Sequence, residues 1–511
     1  MVAVARPHYD AIVVGGGHNG LVAASYLAKA GKRVALIEAR TTLGGASISY
    51  QAFPEFPVRL SRYSYLVSLF PDLIKRDLGL NFQTLSRQVS SYTPVNQGDE
   101  NLGLLVERSL GEATQESFLK ITGSHADFEA WCDFYGRLER LAQYLAPSLL
   151  EPLRNKETAK EAFDDQRLWH EIFEQPIGVT VSNRFKDDIV RGVVLTDALV
   201  GTFASVDDFQ ANICFLYHVI GNGNGEWRVP QGGMGALVIE LERVARQAGV
   251  DIILGERIDG MGGDSSGLEI TTSDGAQYSC SDVVWAADDR SLAQLLREEA
   301  RERRDGSQIK INMLLKDLPK LKSGIDPRIA FSGTFHIDES AIQLESAYRL
   351  AAAGSLPQVI PSEVYCHSLT DSSIVGSSGL HTLTLFAFHT PAKLFENERQ
   401  INTAKATERI IAGINTYLEE PLEESLAYDS EGRACLEVKN PLDLEEELDL
   451  PRGNIFHADL TMPFTSDEAE GRWGSETSHP RIYLGGASAI RGGGVSGIAG
   501  HNAAFAIINR G

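Results

Sequence analysis

Residues Tyr9–Ser47 read YDAIVVGGGHNGLVAASYLAKAGKRVALIEARTTLGGAS. An apolar run, Ala11–Val14, stops at Gly15-Gly16-Gly17-His18-Asn19-Gly20. A helical pattern comes next, and a second apolar run, Arg33–Ile37, ends in Glu38. Strand, glycine turn, helix, strand and acid, in that order, predict a unit that binds an ADP-containing dinucleotide. In such a unit Gly15 permits the tight turn, Gly17 lets the backbone approach a diphosphate, and Gly20 lets the helix pack on the strand. His18 and Asn19 open the helix, where free N–H groups and the helix dipole favour negative charge. Glu38 falls 18 residues after Gly20, where a carboxylate accepts hydrogen bonds from an adenosine ribose.

The residues just after Glu38 separate FAD from NAD. Ala39-Arg40-Thr-Thr-Leu-Gly44-Gly45-Ala46 continues without a break. This resembles the two-dinucleotide-binding-domain flavoproteins, in which E-x-R-x(3)-GG stays near the phosphates and ribose of the flavin nucleotide. The glycines permit close approach, and Arg40 can meet a phosphate oxygen. FAD is the expected cofactor.

The chain has 511 residues, too many for one core and suited to two or three intermixed domains. Hydrophobic residues make up 43% and charged residues 23%, the balance of a globular protein. No stretch reaches 18 uncharged apolar residues, so no spanning helix is expected. The first ten residues, MVAVARPHYD, lack the apolar core of a secretory signal. The five cysteines, Cys132, Cys214, Cys280, Cys366 and Cys435, form no CxxC. They read as buried free thiols in a reducing compartment, and cytoplasmic placement is the expectation. Net charge is −22, which disfavours nucleic acid and anionic lipid.

The nucleotide domain reads as three separated pieces, 5–75, 226–290 and 450–511. Segments 76–225 and 291–449 then form a substrate domain. The first of these is mainly helical, with Phe128–Leu145 and Asp187–Leu199 as examples. The second holds strands at Ile311–Leu315 and Leu380–Phe388 and a helix near Glu396–Leu418. Within 226–290 the expected order is a helix at Ala236–Ala248, a strand at Asp251–Leu254, a hairpin of Leu268–Thr272 with Gln277–Ser279, and a buried strand at Asp282–Ala287. The hairpin is expected to cover one face of the parallel sheet. Gly221-Asn-Gly-Asn-Gly comes after a helix and reads as a loop, so a second dinucleotide site is not expected. The overall class is α/β, a Rossmann-type FAD domain with a parallel sheet and hairpin cover, plus an α+β substrate domain.

With these pieces in place the chain resembles the phytoene-desaturase-like FAD oxidoreductases. Within that group it is similar to the pyridine-nucleotide-disulfide-oxidoreductase-domain-containing protein 2 branch. GGGHNGLVAASYLAKAG, SRYSYLVSLFPDLIKRDLGL, DALVGTFAS, FLYHVIGN, WRVPQGGMGAL, GNIFHAD and GGASAIRGGGVSGIAGHNAA carry the resemblance, from residue 9 to 504. It implies non-covalent FAD and redox chemistry at a carbon–carbon or carbon–heteroatom single bond. Among the cofactor contacts it adds Ile258 in the second piece and Gly486, Gly494, Val495 and Ser496 in the third. The last helix, Ile498–Ile508, would aim its N-terminus at the flavin pyrimidine carbonyl, where charge builds on reduction.

Catalytic residues are not legible. His18 could meet phosphate or flavin, or face solvent. His218 and His457 could act as acid or base, although a lone histidine is more often structural; His501 reads as structural. The aromatic block Phe53, Phe56, Tyr63, Tyr65 and Phe70 could line an apolar channel or pack a core, and Trp227 could abut the ring system. No histidine spacing suggests a metal. The expected reaction takes a hydride from an organic, lipophilic substrate onto flavin N5 and passes electrons to an acceptor such as dioxygen or a quinone. A redox-neutral isomerase and a flavin-bearing scaffold are the alternatives. Peripheral membrane contact and self-association are compatible with all three.

Overall fold

The computed structural model describes residues 7–67, 69–221, 223–465 and 469–510. The N-terminal residues 1–6, Ser68 of the aromatic block and Asn222 of the glycine loop lie outside the described residues.

β1 (His8–Val14), α1 (His18–Lys29) and β2 (Val34–Glu38) form the predicted opening unit. β2 pairs in parallel with β1 on one side and with Asp251–Leu254 on the other. β1 also pairs in parallel with Gln277–Trp285, which in turn pairs in parallel with Ile482–Leu484. One sheet thus gathers strands from both ends and the middle of the chain. Two further strands, Ile258–Asp264 and Gly267–Thr272, hang antiparallel from the first half of Gln277–Trp285.

Both faces of this sheet are covered, which is why β1 and β2 read as unbroken apolar runs. Ala11, Val13, Val34 and Leu36 pack in the large core that also holds Leu21 of α1, Leu237 and Leu241 of the helix Met234–Gln247, and Ile507 of the last helix. Ile12, Val14, Ala35 and Ile37 pack under Ile258, Leu268 and Ile270 of the antiparallel strands. The expected cover is therefore present, with two differences. Gln277–Trp285 is one continuous strand, because its two halves find different partners. Ile258–Asp264 is a strand that its glycine-rich, polar sequence (IDGMGGD) concealed.

A second seven-stranded sheet runs in the order Leu436–Lys439, Lys310–Leu315, His381–Ala387, Ser362–Tyr365, Thr334–Ile337, Val89–Gln97 and Glu100–Glu107. Its two faces differ sharply. Ile311, Met313, Phe335, Val364, Leu383 and Leu385 point into an apolar core with Ala406, Ile410 and Ile414 of the helix Arg399–Asn415. Alternate positions point the other way. Lys310 lies opposite Phe386, Phe386 opposite Glu363, and Glu363 opposite His336. Directly opposed residues share a face, so these four form one row across four strands. The helices Ala126–Leu145, Gln166–Phe173, Asp188–Leu199 and Phe209–Ile220 pack around Phe134, Trp169 and Phe215 in the large core. Among the described residues no helix is long and apolar enough to cross a membrane.

Candidate functional site

A cavity of about 580 Å³ runs between the first sheet, the second sheet and the helices. Its wall includes Gly15, Gly17, His18 and Asn19 of the opening turn. Glu38, Ala39, Arg40, Gly45, Ala46, Ile258, Gly494 and Val495 also line it. The remaining residues singled out in the sequence, Gly20, Gly44, Gly486 and Ser496, lie off the wall. A Cβ on Gly20 would stand 1.9 Å from the Gly15 carbonyl oxygen, so glycine there lets α1 sit down on β1. Gly44 donates its N–H to the Gly16 carbonyl at 2.9 Å, tying the two glycine segments together. A Cβ on Gly486 would meet the Ala286 and Ala287 carbonyl oxygens at 2.9 Å. Ser496 is fully buried, and its Oγ accepts from Ile498 N–H at the start of the last helix.

The opening turn has the shape and donors for a dinucleotide. Gly15 adopts φ +101°, which side chains disfavour. A Cβ on Gly17 would meet no protein atom within 4 Å, so the loop faces open space there. Gly17 is also the N-cap of α1 and provides no side-chain cap. The Glu38 carboxylate accepts from Gly16 N–H at 2.6 Å and from Arg40 N–H at 2.8 Å, which fixes its direction. His18 Nε2 and Asn19 Oδ1 are buried without a partner. Burial pushes the His18 imidazole down to about 4, despite a backbone hydrogen bond at Gly494. The C-terminal glycine loop therefore lies against the phosphate loop, and His457 faces the same place. His457 sits at φ +63° with Nδ1 unpartnered, and burial lowers its pKa.

The last helix is seated through its glycines. A Cβ on Gly500 would stand 2.0 Å from the Asn19 carbonyl oxygen, and one on Gly497 would meet Val22 and Phe70. The helix start is thus seated on α1, and the cavity is met by Gly494 and Val495 ahead of it.

The other end of the cavity is aromatic. Tyr65 lies 4.8 Å from Tyr365 and 5.5 Å from Phe386, ring centre to ring centre. Trp227 stacks on His218 at 4.5 Å and donates its indole N–H to the His218 carbonyl. Burial pushes His218 down to about 4, so the imidazole is neutral at physiological pH. Tyr63 and Tyr65 of the aromatic block line the cavity. Phe53 and Phe56 pack instead with Val58, Leu60 and Leu314, and Phe70 joins the large core.

Lys310 was not legible as a site residue. It is 2% exposed and lines the cavity. Its Nζ donates to the Ser61 and Tyr63 carbonyls at 2.8 and 2.7 Å, 5.4 Å from the Tyr65 ring centre. Burial pushes it down to about 7. A lysine inside KINMLL, a strand otherwise made of apolar residues and one asparagine, is the signal that could have found it.

All five cysteines are free. Four are buried as expected, but Cys132 is exposed, because it lies on the solvent side of Ala126–Leu145.

Comparison with known proteins places the chain in a family. The model of the family "flavin containing amine oxidoreductase" matches residues 20–316. An uncharacterized protein of Mycobacterium tuberculosis (strain ATCC 25618 / H37Rv) is 40% identical over 98% of this chain and 97% of its own. The mouse pyridine nucleotide-disulfide oxidoreductase domain-containing protein 2 is 28% identical over 98% of this chain and 94% of its own. The solved cyclohexylamine oxidase from Brevibacterium oxydans shares the fold, with a TM-score of 0.58 at 15% identity over 98% of this chain and 99% of its own. The chain belongs to the flavin-containing amine oxidoreductase family, an FAD-dependent oxidoreductase built as a Rossmann-type cofactor domain joined to a substrate domain.

Proposed function

We propose that the protein oxidises an amine with an apolar body, at the carbon next to nitrogen. FAD, when bound, would supply the acceptor for the hydride of that carbon. The nitrogen loses a proton, and a carbon–nitrogen double bond remains on the product. The observation that carries this reading is the wall of Tyr65, Tyr365, Phe386, Trp227, Leu66 and Leu460 around one buried lysine. Such a wall favours an apolar body and leaves a cationic amine poorly solvated, so the substrate is held as the neutral amine. Lys310, lowered to about 7, exchanges its proton near neutral pH; when protonated it has one N–H beyond the two given to the Ser61 and Tyr63 carbonyls, free to hold a water or a substrate lone pair.

For the cofactor we assign Glu38 to the adenosine ribose and Ile258 to the adenine side. The amides of Gly17, His18 and Asn19, with Arg40, serve the diphosphate, and Gly494–Val495 serve the flavin ring. Electrons leave to a small acceptor such as dioxygen or a quinone. The free thiols suit a reducing compartment.

Oxidation of a long polyene uses the same apolar wall and is the second reading, supported by the sequence resemblance. Anaerobic mixing with benzylamine, cyclohexylamine, putrescine and a detergent-dispersed polyene separates the two. Bleaching of the visible flavin band by an amine supports the proposal, and bleaching by the polyene alone favours desaturation. Conversion of the polyene without bleaching indicates an isomerase. A flavin that none of them reduces ends the amine reading.

A further inference from the structure

The second sheet carries one group of ionisable side chains that the FAD reading does not use. His336 and Glu363 are direct partners on neighbouring antiparallel strands, so both leave the same face. Two residues after His336 the chain turns through Asp338, held left-handed at φ +56° with its carboxylate taking the Tyr417 hydroxyl at 2.8 Å. That turn returns the Glu339 carboxylate to His336 Nδ1. Gly192 closes the site from above. A Cβ there would stand 1.8 Å from the Glu339 carbonyl oxygen, so only glycine lets Asp188–Leu199 approach so closely.

The three residues are 4%, 1% and 3% exposed for His336, Glu339 and Glu363. One imidazole nitrogen and two carboxylate oxygens lie within 4.8 Å of one another. Glu339 Oε1 is buried with no hydrogen-bond partner, a costly state for a carboxylate oxygen. The charge is also unbalanced. Asp197 and Arg87 stand close enough to shift these groups electrostatically. With Asp338 also beside Glu339, four carboxylates stand against one guanidinium and leave three negative charges when all are ionised.

We propose that His336, Glu339 and Glu363 bind a first-row divalent cation, of the class of Mn²⁺, Fe²⁺ or Zn²⁺. An imidazole with two carboxylates suits these ions, whereas Mg²⁺ and Ca²⁺ take oxygen donors alone. The ion supplies the missing positive charge and a partner for Glu339 Oε1. Tyr365 links the site to the cavity: its hydroxyl donates to Glu363 while its ring lines the pocket. The ion therefore sits behind the aromatic wall and holds it, without touching substrate. Sequence spacing does not announce this site, because 336 and 363 meet through strand register.

The test uses the full-length, flavin-loaded protein, prepared without a polyhistidine tag from cells supplied with manganese, iron and zinc. Elemental analysis after gel filtration is expected to find about one equivalent of one of these metals per chain. Stripping with a chelator should lower the melting temperature by a few degrees, and adding back Mn²⁺ or Zn²⁺ should restore it. Glu339→Gln and His336→Gln should keep the flavin spectrum and lose the metal. A wild-type protein that carries no metal and whose melting ignores all three ions overturns the proposal, as do variants that keep the metal. If the variants do not fold, metal content and reversible melting of the wild type decide the matter alone.

Discussion

Gly17 and Gly20 belong to one turn, yet the structure gives them opposite sensitivities. At Gly17 the backbone is ordinary, φ −71° and ψ 175°, and an added Cβ meets no protein atom within 4 Å. Gly17→Ala should leave the cofactor-free protein as stable as before, or more stable by about 0.4–1 kcal/mol, because the unfolded chain loses freedom. Its methyl would project into the space assigned to the diphosphate. Displacing one charge-assisted hydrogen bond costs about 1.5–3 kcal/mol, so FAD should bind about 10- to 150-fold more weakly. At Gly20 the Cβ would stand 1.9 Å from the Gly15 oxygen, where ordinary contact begins at 3.4 Å. The shortfall of about 1.5 Å must come from lifting α1 off β1. Overpacking of this kind costs about 1–3 kcal/mol, offset by about 1 kcal/mol of helix propensity, and it falls on the protein with or without FAD. Deflavinated protein titrated with FAD, read by quenching of flavin fluorescence, gives the affinity; melting of the same samples gives the stability. A Gly17→Ala protein with unchanged melting that binds FAD within about twofold of wild type would refute the assignment of that space.

Three other outcomes rest on buried groups. Lys310 is held at about 7 in the folded chain against an ordinary 10.5. The unfolded chain therefore binds the extra proton between these values, and wild-type stability gains from this residue as pH rises from 7 to 10.5. Lys310→Met removes the gain, so the melting difference, variant minus wild type, should fall across that window; a constant difference would show the lysine is not buried as described. Arg491, 1% exposed, donates to the Ser148, Glu151 and Trp473 carbonyls at 2.8, 2.7 and 2.7 Å. Arg491→Met should cost about 3 kcal/mol or more in urea unfolding, because these carbonyls lose their donor. Of the five cysteines only Cys132 is exposed, so a thiol reagent should titrate one thiol in native protein and five after denaturation.

The cofactor unit was legible because its requirements are local. Gly15, Gly17, Gly20 and Glu38 lie within one strand–helix–strand passage, and each answers a steric or hydrogen-bonding need set by its neighbours. The last helix, Ile498–Ile508, was legible to the residue because the glycine run ending at Gly497 sets its start and small residues fill it. The far end of the cavity was not. Lys310, Phe386 and Glu363 come from three strands, and only strand register brings them into a row. Tyr65 joins them from a segment that looked no different from Phe53 or Phe56, which pack elsewhere. Ser496 Oγ accepts from Ile498 N–H at the start of the last helix, a local cap that the sequence pattern does not announce.

The sheet that begins with β1 is completed by Ile482–Leu484, and α1 is covered by a helix that ends at Ile508. During translation, then, the first forty residues emerge long before their partners exist. A nascent chain halted before residue 480 would present an uncovered apolar helix and no seat for its prosthetic group. Flavin capture should therefore wait until Ile482–Leu484 and the last helix have emerged and folded, and the early segment needs chaperone protection until then.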